Sequence, residues 1–226
     1  MIVAIHQPNF LPWLGYFYKM ARADRFVFLD SVPFAKGSYT NRVKIKTASG
    51  PQWWTIPVVT HGKLGQPIVE VQCSHKEDWR KKAVMTLKTN YQKCRHFQPY
   101  ADRILQVLAS GGNGLADLNI GLIGYVCEQL GIRTPTVRSS RMAAKGAATD
   151  LLIALCRELG ADTYLSGSGG ANYQDEAAFQ AAGIRLIYAN YPHPTYPQAF
   201  GDFVPGLSVV DLLFNCGQNS SAILGL

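Results

Sequence analysis

His6 and Gln7 stand where a short apolar run, Ile2–Ile5, stops, just ahead of Pro8 and Pro12. An imidazole ordinarily titrates near neutral pH, so a histidine at a strand end is placed for proton transfer. Asp30 closes a second apolar run, Phe26–Leu29. An acid there can orient the histidine or hold a ribose, and it can equally cap a turn. Arg138-Ser139-Ser140 follows the short run Thr136-Val137. Arginine offers a two-pronged donor to phosphate or carboxylate, and serines donate beside it. A solvated turn with Ser140 capping a helix is the plainer reading. Ser166-Gly167-Ser168-Gly169-Gly170 lies between a strand pattern, Thr163–Leu165, and a helix pattern, with Tyr173 just beyond. Amides freed by glycines can cradle an anion there. The spacing is neither a Walker loop nor a dinucleotide fingerprint, and a flexible turn also fits it. Asn41, Arg42 and Lys44 form another polar group, near Tyr39, Trp53 and Trp54. Those rings would stack a base or sugar, or would serve as core.

The expected catalytic pair is therefore His6 as general base with Asp30 beside it. The expected substrate- and anion-binding set is Gln7, Asn41, Arg42, Lys44, Arg138, Ser139, Ser166, Gly167, Gly169, Gly170 and Tyr173. His193, between two prolines, is a weaker candidate. No two histidines or carboxylates have ligand spacing on one element, so no metal is expected. No G-x-S-x-G elbow occurs, and no cysteine has a local partner.

These residues need a scaffold that carries them to one place. Ile2–Ile5, a helix over Gly15–Ala23 and Phe26–Leu29 spell strand, helix, strand, which puts His6 and Asp30 at the same edge of a parallel sheet. Residues 31–72 change character. Strands over Val43–Thr47 and Gln52–Val59, around Ala48–Pro51, and a third over Ile68–Gln72 predict a β-rich insertion carrying most of the exposed positive charge. Residues 76–131 read as helices over Glu77–Tyr91, Pro99–Leu108 and Leu115–Leu130, the last stopped by Gly131. Alternation then returns: strand 136–137, helix Gly146–Leu159, strand 163–165, helix Asp175–Ala182 and strand Ile184–Tyr188. A Ser208-capped helix follows. Strands and helices in alternation predict an α/β fold with a mostly parallel sheet. We read residues 1–226 as one domain with these two inserted sections.

Composition bounds the function. The chain has 226 residues, 47% of them hydrophobic and only 16% charged, enough for one sizeable core without a long disordered tail. A net charge of +7 and a pI near 9.2 favour an anionic partner. The basic residues are scattered, so a small anionic molecule suits them better than nucleic acid. Five cysteines without paired spacing fit reduced thiols in a cytoplasmic protein. No run of 18 apolar residues occurs, so no membrane span is expected.

Several long stretches resemble one family in its own order: Ile5-His-Gln-Pro-Asn-Phe-Leu-Pro-Trp-Leu-Gly-Tyr-Phe17, Tyr39-Thr-Asn-Arg-Val-Lys44, Trp79-Arg-Lys-Lys82, Gly160-Ala-Asp-Thr-Tyr164, Gly169-Gly170 and Phe203-Val-Pro-Gly-Leu-Ser-Val-Val-Asp-Leu-Leu213. The chain resembles the WbqC-like family of bacterial proteins along nearly its whole length. That resemblance implies work in clusters that make O-antigen and other surface polysaccharides. It suggests a transferase that modifies a sugar or sugar nucleotide, for instance by acyl or aminoacyl transfer to an amino sugar. It carries over no catalytic residues, so the site set above rests on the residues themselves. More distantly, the opening strand, His-x-Pro loop and helix are similar to the start of class I adenylyltransferases and pantothenate synthetase. This implies a Rossmann-like, nucleotidyltransferase-like three-layer sandwich with five strands. Their second motif histidine is missing, because Tyr16 follows Leu14-Gly15. Three functions are thus expected in order: the sugar transferase, an ATP-dependent adenylyl-transfer or ligase-type enzyme with a nucleotide as cofactor or substrate, and a non-catalytic sugar-nucleotide or nucleic-acid binder.

Overall fold

The computed structural model describes residues 1–226 except Lys76, Glu77 and Tyr173. At its centre, apolar runs too short for helices and flanked by turns form strands β1 (Ile2–His6) and β2 (Arg25–Phe28), joined by helix α1 (Leu14–Ala21). They pair in parallel, with His6 opposite Phe28. The hairpin β3 (Arg42–Thr47) and β4 (Gly50–Thr55) follows, then helices α2 (Trp79–Tyr91), α3 (Phe97–Ser110) and α4 (Leu115–Leu130). Strand β5 (Thr136–Arg138), helix α5 (Ala148–Glu158), strand β6 (Thr163–Gly167), helix α6 (Glu176–Ala181) and strand β7 (Arg185–Ala189) complete the alternation, and α7 (Val209–Cys216) and α8 (Ser220–Leu224) follow.

The five strands form one parallel sheet in the order β5-β2-β1-β6-β7. This is the three-layer α/β sandwich expected from the sequence. Buried on both faces, β1 alternates its side chains between two cores. Ala4 packs into the larger core with α1, α4 and α7, while Val3 and Ile5 pack into the smaller one beneath α5 and α6. The order reverses between β1 and β6, and a crevice opens outside the carboxyl ends of strands at such a switch point.

Most element boundaries fall within a few residues of the sequence reading, and α4 and its Gly131 cap match it; Gly131 takes φ +72°. Ser208 caps α7 as expected, accepting from the Val210 amide. The third insertion strand is a correction. Ile68–Glu70 forms a 3-10 turn, led in by Pro67. Ile68 and Val71 are both fully buried and three apart, which is the period of a 3-10 turn and not of a strand. Val69 N–H bonds to Asp30 O at 2.9 Å, which stitches the turn onto the end of β2. Among the described residues no helix is long and apolar enough to cross a membrane. All five cysteines are free thiols.

Candidate functional site

A cavity of about 490 Å³ opens at the switch point. Its floor comes from the end of β1, through Ile5 and His6, and from Tyr164 of β6. One wall is the opening loop and insertion, with Gln7, Asn9, Ser38 and Tyr39. The other is the amino end of α5, with Ala148 and Thr149, joined by Gln174. Leu29, Val32, Leu151 and Leu152 add an apolar side. Ala148 takes φ +47°, a left-handed conformation costly for a residue with a Cβ, and sets the angle at which α5 starts. The first amides of α5 lie at the cavity wall without a side-chain cap, and Asp150 sits in that first turn.

His6 is held by two neighbours. Its Nδ1 lies 3.3 Å from Gln7 O, and its ring meets Tyr16 edge-on at 4.8 Å. With Nδ1–H donating to Gln7 O, Nε2 keeps its lone pair, and no described residue bonds it. Burial, with the Lys19 charge adding to it, lowers the His6 pKa to about 3. The ring is therefore neutral at ordinary pH: an acceptor, not a cation.

Two amides face the cavity incompletely satisfied. Asn9 is only 6% exposed, and its side chain has no hydrogen-bond partner among the described residues. Gln174 Nε2 donates to Tyr164 Oη at 3.3 Å, while its buried Oε1 is unpartnered. Buried polar groups are nearly always bonded, so unpartnered ones lining a cavity point to something that enters it. Gln7 is more committed: its Oε1 accepts from Thr40 Oγ1 at 3.1 Å.

The remaining sequence candidates are placed elsewhere. Asp30 is fully buried and accepts from Arg138 Nε at 2.6 Å, Ser140 N at 2.9 Å, Ser140 Oγ at 2.9 Å and Ser139 Oγ at 3.2 Å. Arg138 also pairs with Asp117 at 2.5 Å. These contacts clamp the ends of β2 and β5 together, and neither Asp30 nor Arg138 lines the cavity or touches His6. Ser139 Oγ also accepts from the Asp30 and Ser31 amides at 3.0 and 3.1 Å. Ser166, Gly167, Gly169 and Gly170 do not line the cavity. A Cβ on Gly170 would collide with Ser166 Oγ and lie 2.8 Å from Gln174 Oε1, so this glycine makes room for both side chains. Tyr173 lies outside the described residues. Asn41 donates to Ile56 O at 3.0 Å inside the insertion, and Arg42 and Lys44 lie on the outer face of the hairpin by Trp53. His193 is bonded on both sides, to Pro194 O at 2.9 Å and from Gly206 N at 3.0 Å.

Sequence reasoning missed Lys19. It is 2% exposed, donates to Ile5 O at 3.0 Å, and has no carboxylate partner among the described residues. Burial lowers its pKa to about 7. The signal was available: Lys19 falls three residues after Tyr16 and beside Met20, inside the buried stripe of α1. Asn119, likewise missed, donates to Pro8 O at 2.8 Å and Thr40 O at 2.7 Å, stapling the opening loop to the insertion.

The model of the WbqC-like protein family matches residues 7–223. The chain belongs to this family. The match opens on Gln7, in the loop whose Gln7 and Asn9 form part of one cavity wall. This WbqC-like chain is also 36% identical over 220 residues to a Mycobacterium tuberculosis (strain ATCC 25618 / H37Rv) protein described as the uncharacterized protein Rv1507c, a match that covers 96% of this chain and 95% of that one. No solved structure matches.

Proposed function

We propose that this WbqC-like chain is a transferase acting on a sugar or nucleotide-linked sugar, moving an acyl or aminoacyl group onto an amino sugar for bacterial surface polysaccharide. The observation that carries the reading is a switch-point cavity of about 490 Å³ in which His6 Nε2, the Asn9 side-chain amide and Gln174 Oε1 have no hydrogen-bond partner among the described residues. Hydroxyl and amide groups of a sugar would satisfy those atoms, and its ring would lie against Leu151 and Leu152. As the acceptor amine attacks the acyl carbonyl carbon, His6 Nε2 takes the amine proton and the leaving group departs from that carbon. His6 is a weak base in the empty cavity, because burial opposes its charged form. Asp30 and Arg138 serve this site by fixing the sheet edge from which His6 projects.

The test is to incubate the chain with nucleotide amino sugars and acyl or aminoacyl donors and follow the sugar's mass. His6→Gln is expected to keep binding and lose transfer; unchanged transfer would rule out the base role. The second reading, adenylyl transfer, draws on the cavity's position between the first-strand loop and the α5 amino end. A rise in melting temperature with ATP or AMP, and none with nucleotide sugars, would favour it.

A further inference from the structure

Charge is distributed unevenly around the cavity. No lysine or arginine is among the described residues that line it. Lys19 is sealed below it, and Arg138 is committed to Asp30 and Asp117. What the cavity offers is amides, hydroxyls and a neutral imidazole, a set that reads hydroxyl and amide groups.

The unused positive charge lies just outside, across one shared residue. Tyr39 lines the cavity yet is 50% exposed, and its ring centre is 5.7 Å from that of Trp53, itself 42% exposed. The Arg42 guanidinium stands 4.2 Å over the Trp53 ring, and Lys44 Nζ lies 5.3 Å from it. Both cations come from β3 and, two residues apart, share one face; Lys44 is directly opposite Trp53. The next residue on that face, Lys46, is covered by the chain at Gln198–Asp202, whereas the Lys44 side chain stays exposed although Ser208 N donates to the Lys44 backbone O at 2.8 Å. Neither has a carboxylate partner among the described residues, and Arg42 Nε is buried with no hydrogen bond. Exposed rings with unpaired cations suit a planar base joined to phosphates.

We infer that the substrate is divided between two places: its uncharged, hydroxyl- and amide-bearing end enters the cavity, and a nucleoside diphosphate end lies outside on the Tyr39–Trp53 face with Arg42 and Lys44 on its phosphates. This rests on the sugar-nucleotide reading and assigns the nucleotide to the hairpin in place of Arg138 and the 166–170 turn.

The experiment titrates uridine, adenosine, guanosine and cytidine diphosphates, and matching nucleotide sugars, into the full chain by calorimetry and tryptophan fluorescence. Trp53→Leu and the pair Arg42→Gln with Lys44→Gln, surface changes whose folding is checked by thermal melts, are expected to weaken the preferred diphosphate about tenfold each. Asn9→Ala is expected to leave the diphosphate within about twofold and to weaken the nucleotide sugar. Diphosphate binding indifferent to the hairpin variants and lost in Asn9→Ala would place the phosphates inside the cavity and overturn the inference. Trp53-dependent diphosphate binding with no transfer to any sugar would sink the transferase reading alone. Sugar transfer insensitive to Trp53 and Arg42 would sink this one alone. No binding of any of these ligands would sink both.

Discussion

Replacing Lys19 with methionine is expected to stabilise the fold, and by an amount that depends on pH. Lysine 19 is buried with one hydrogen bond and no counter-charge among the described residues. Its pKa drops from an ordinary 10.5 to about 7. Below pH 7 both folded and unfolded chains carry the proton, and the whole penalty of burying the charge is present. Between pH 7 and 10.5 the unfolded chain binds more protons than the folded one, so this group makes stability rise with pH. The displacement amounts to about 4 kcal/mol against the fold at pH 7 and about 2 kcal/mol at pH 9. Methionine keeps most of the side-chain volume but leaves Ile5 O without its donor, a loss of about 1 kcal/mol. The net gain for Lys19→Met is then about 3 kcal/mol at pH 7 and about 1 kcal/mol at pH 9. Urea unfolding of both chains at the two pH values measures it. A difference that stays constant with pH, or a variant less stable throughout, would refute the assignment of a buried, uncompensated charge. The same variant should show His6 titrating at a higher pH by NMR, since the Lys19 charge contributes to holding it down.

Other consequences can be checked with single variants. Asp30→Ala should cost about 3–5 kcal/mol in urea unfolding, because it leaves buried donors on Ser139, Ser140 and Arg138 unpaired; a cost under about 1 kcal/mol would show that the clamp is not structural. Gly170→Ala should cost about 1–3 kcal/mol and displace Gln174, whereas Gly167→Ala and Gly169→Ala, with open space at the added Cβ, should stay within about 0.5 kcal/mol. Equal effects at all three positions would argue instead for a shared backbone role of the turn. Asp211 accepts from Tyr91 Oη at 3.0 Å, and burial raises its pKa from 3.8 to about 6. The folded chain therefore binds more protons between those values, so Asp211→Asn should gain stability over the parent at pH 7 and lose that advantage towards pH 4. Paired thermal melts at the two pH values would expose a wrong sign.

The scaffold was legible wherever local pattern decides structure. Ile2–Ile5 and Phe26–Leu29 are too short and apolar to be surface helices, and Gly131, Asp175 and Ser208 announce helix ends by their chemistry. Convergence was harder to read. His6 and Asp30 do share a sheet edge, but which strand neighbours which is a tertiary fact. The placement of β5 beside β2 brought Arg138 to Asp30 and took both away from His6. The glycines at 166–170 were conspicuous as letters, yet of them only Gly170 is required by space, and the side chains it makes room for are Ser166 and Gln174. Asn9 lies in an irregular loop between prolines, where no periodicity signals its burial. Ile68–Gln72 carries strand-like residue types, but the spacing of Ile68 and Val71 better predicted its turn.

The opening loop is fastened from far along the chain. Asn119 holds Pro8 O; Ser208 Oγ donates to Leu11 O at 2.7 Å, and Val209 N donates to Pro12 O at 3.0 Å. During synthesis, Pro8 therefore waits for a partner 111 positions later, and Leu11 and Pro12 wait for partners 197 positions later. The strand that founds the sheet is also among the last to be finished, since β6 must arrive to cover its second edge. Pairings of such sequence separation slow folding and leave apolar segments uncovered on the ribosome. The site thus reports on the whole chain: a product cut short before residue 208 loses the bonds on Leu11 and Pro12 as well as a late helix, and its first loop is left tied only by the insertion and Asn119.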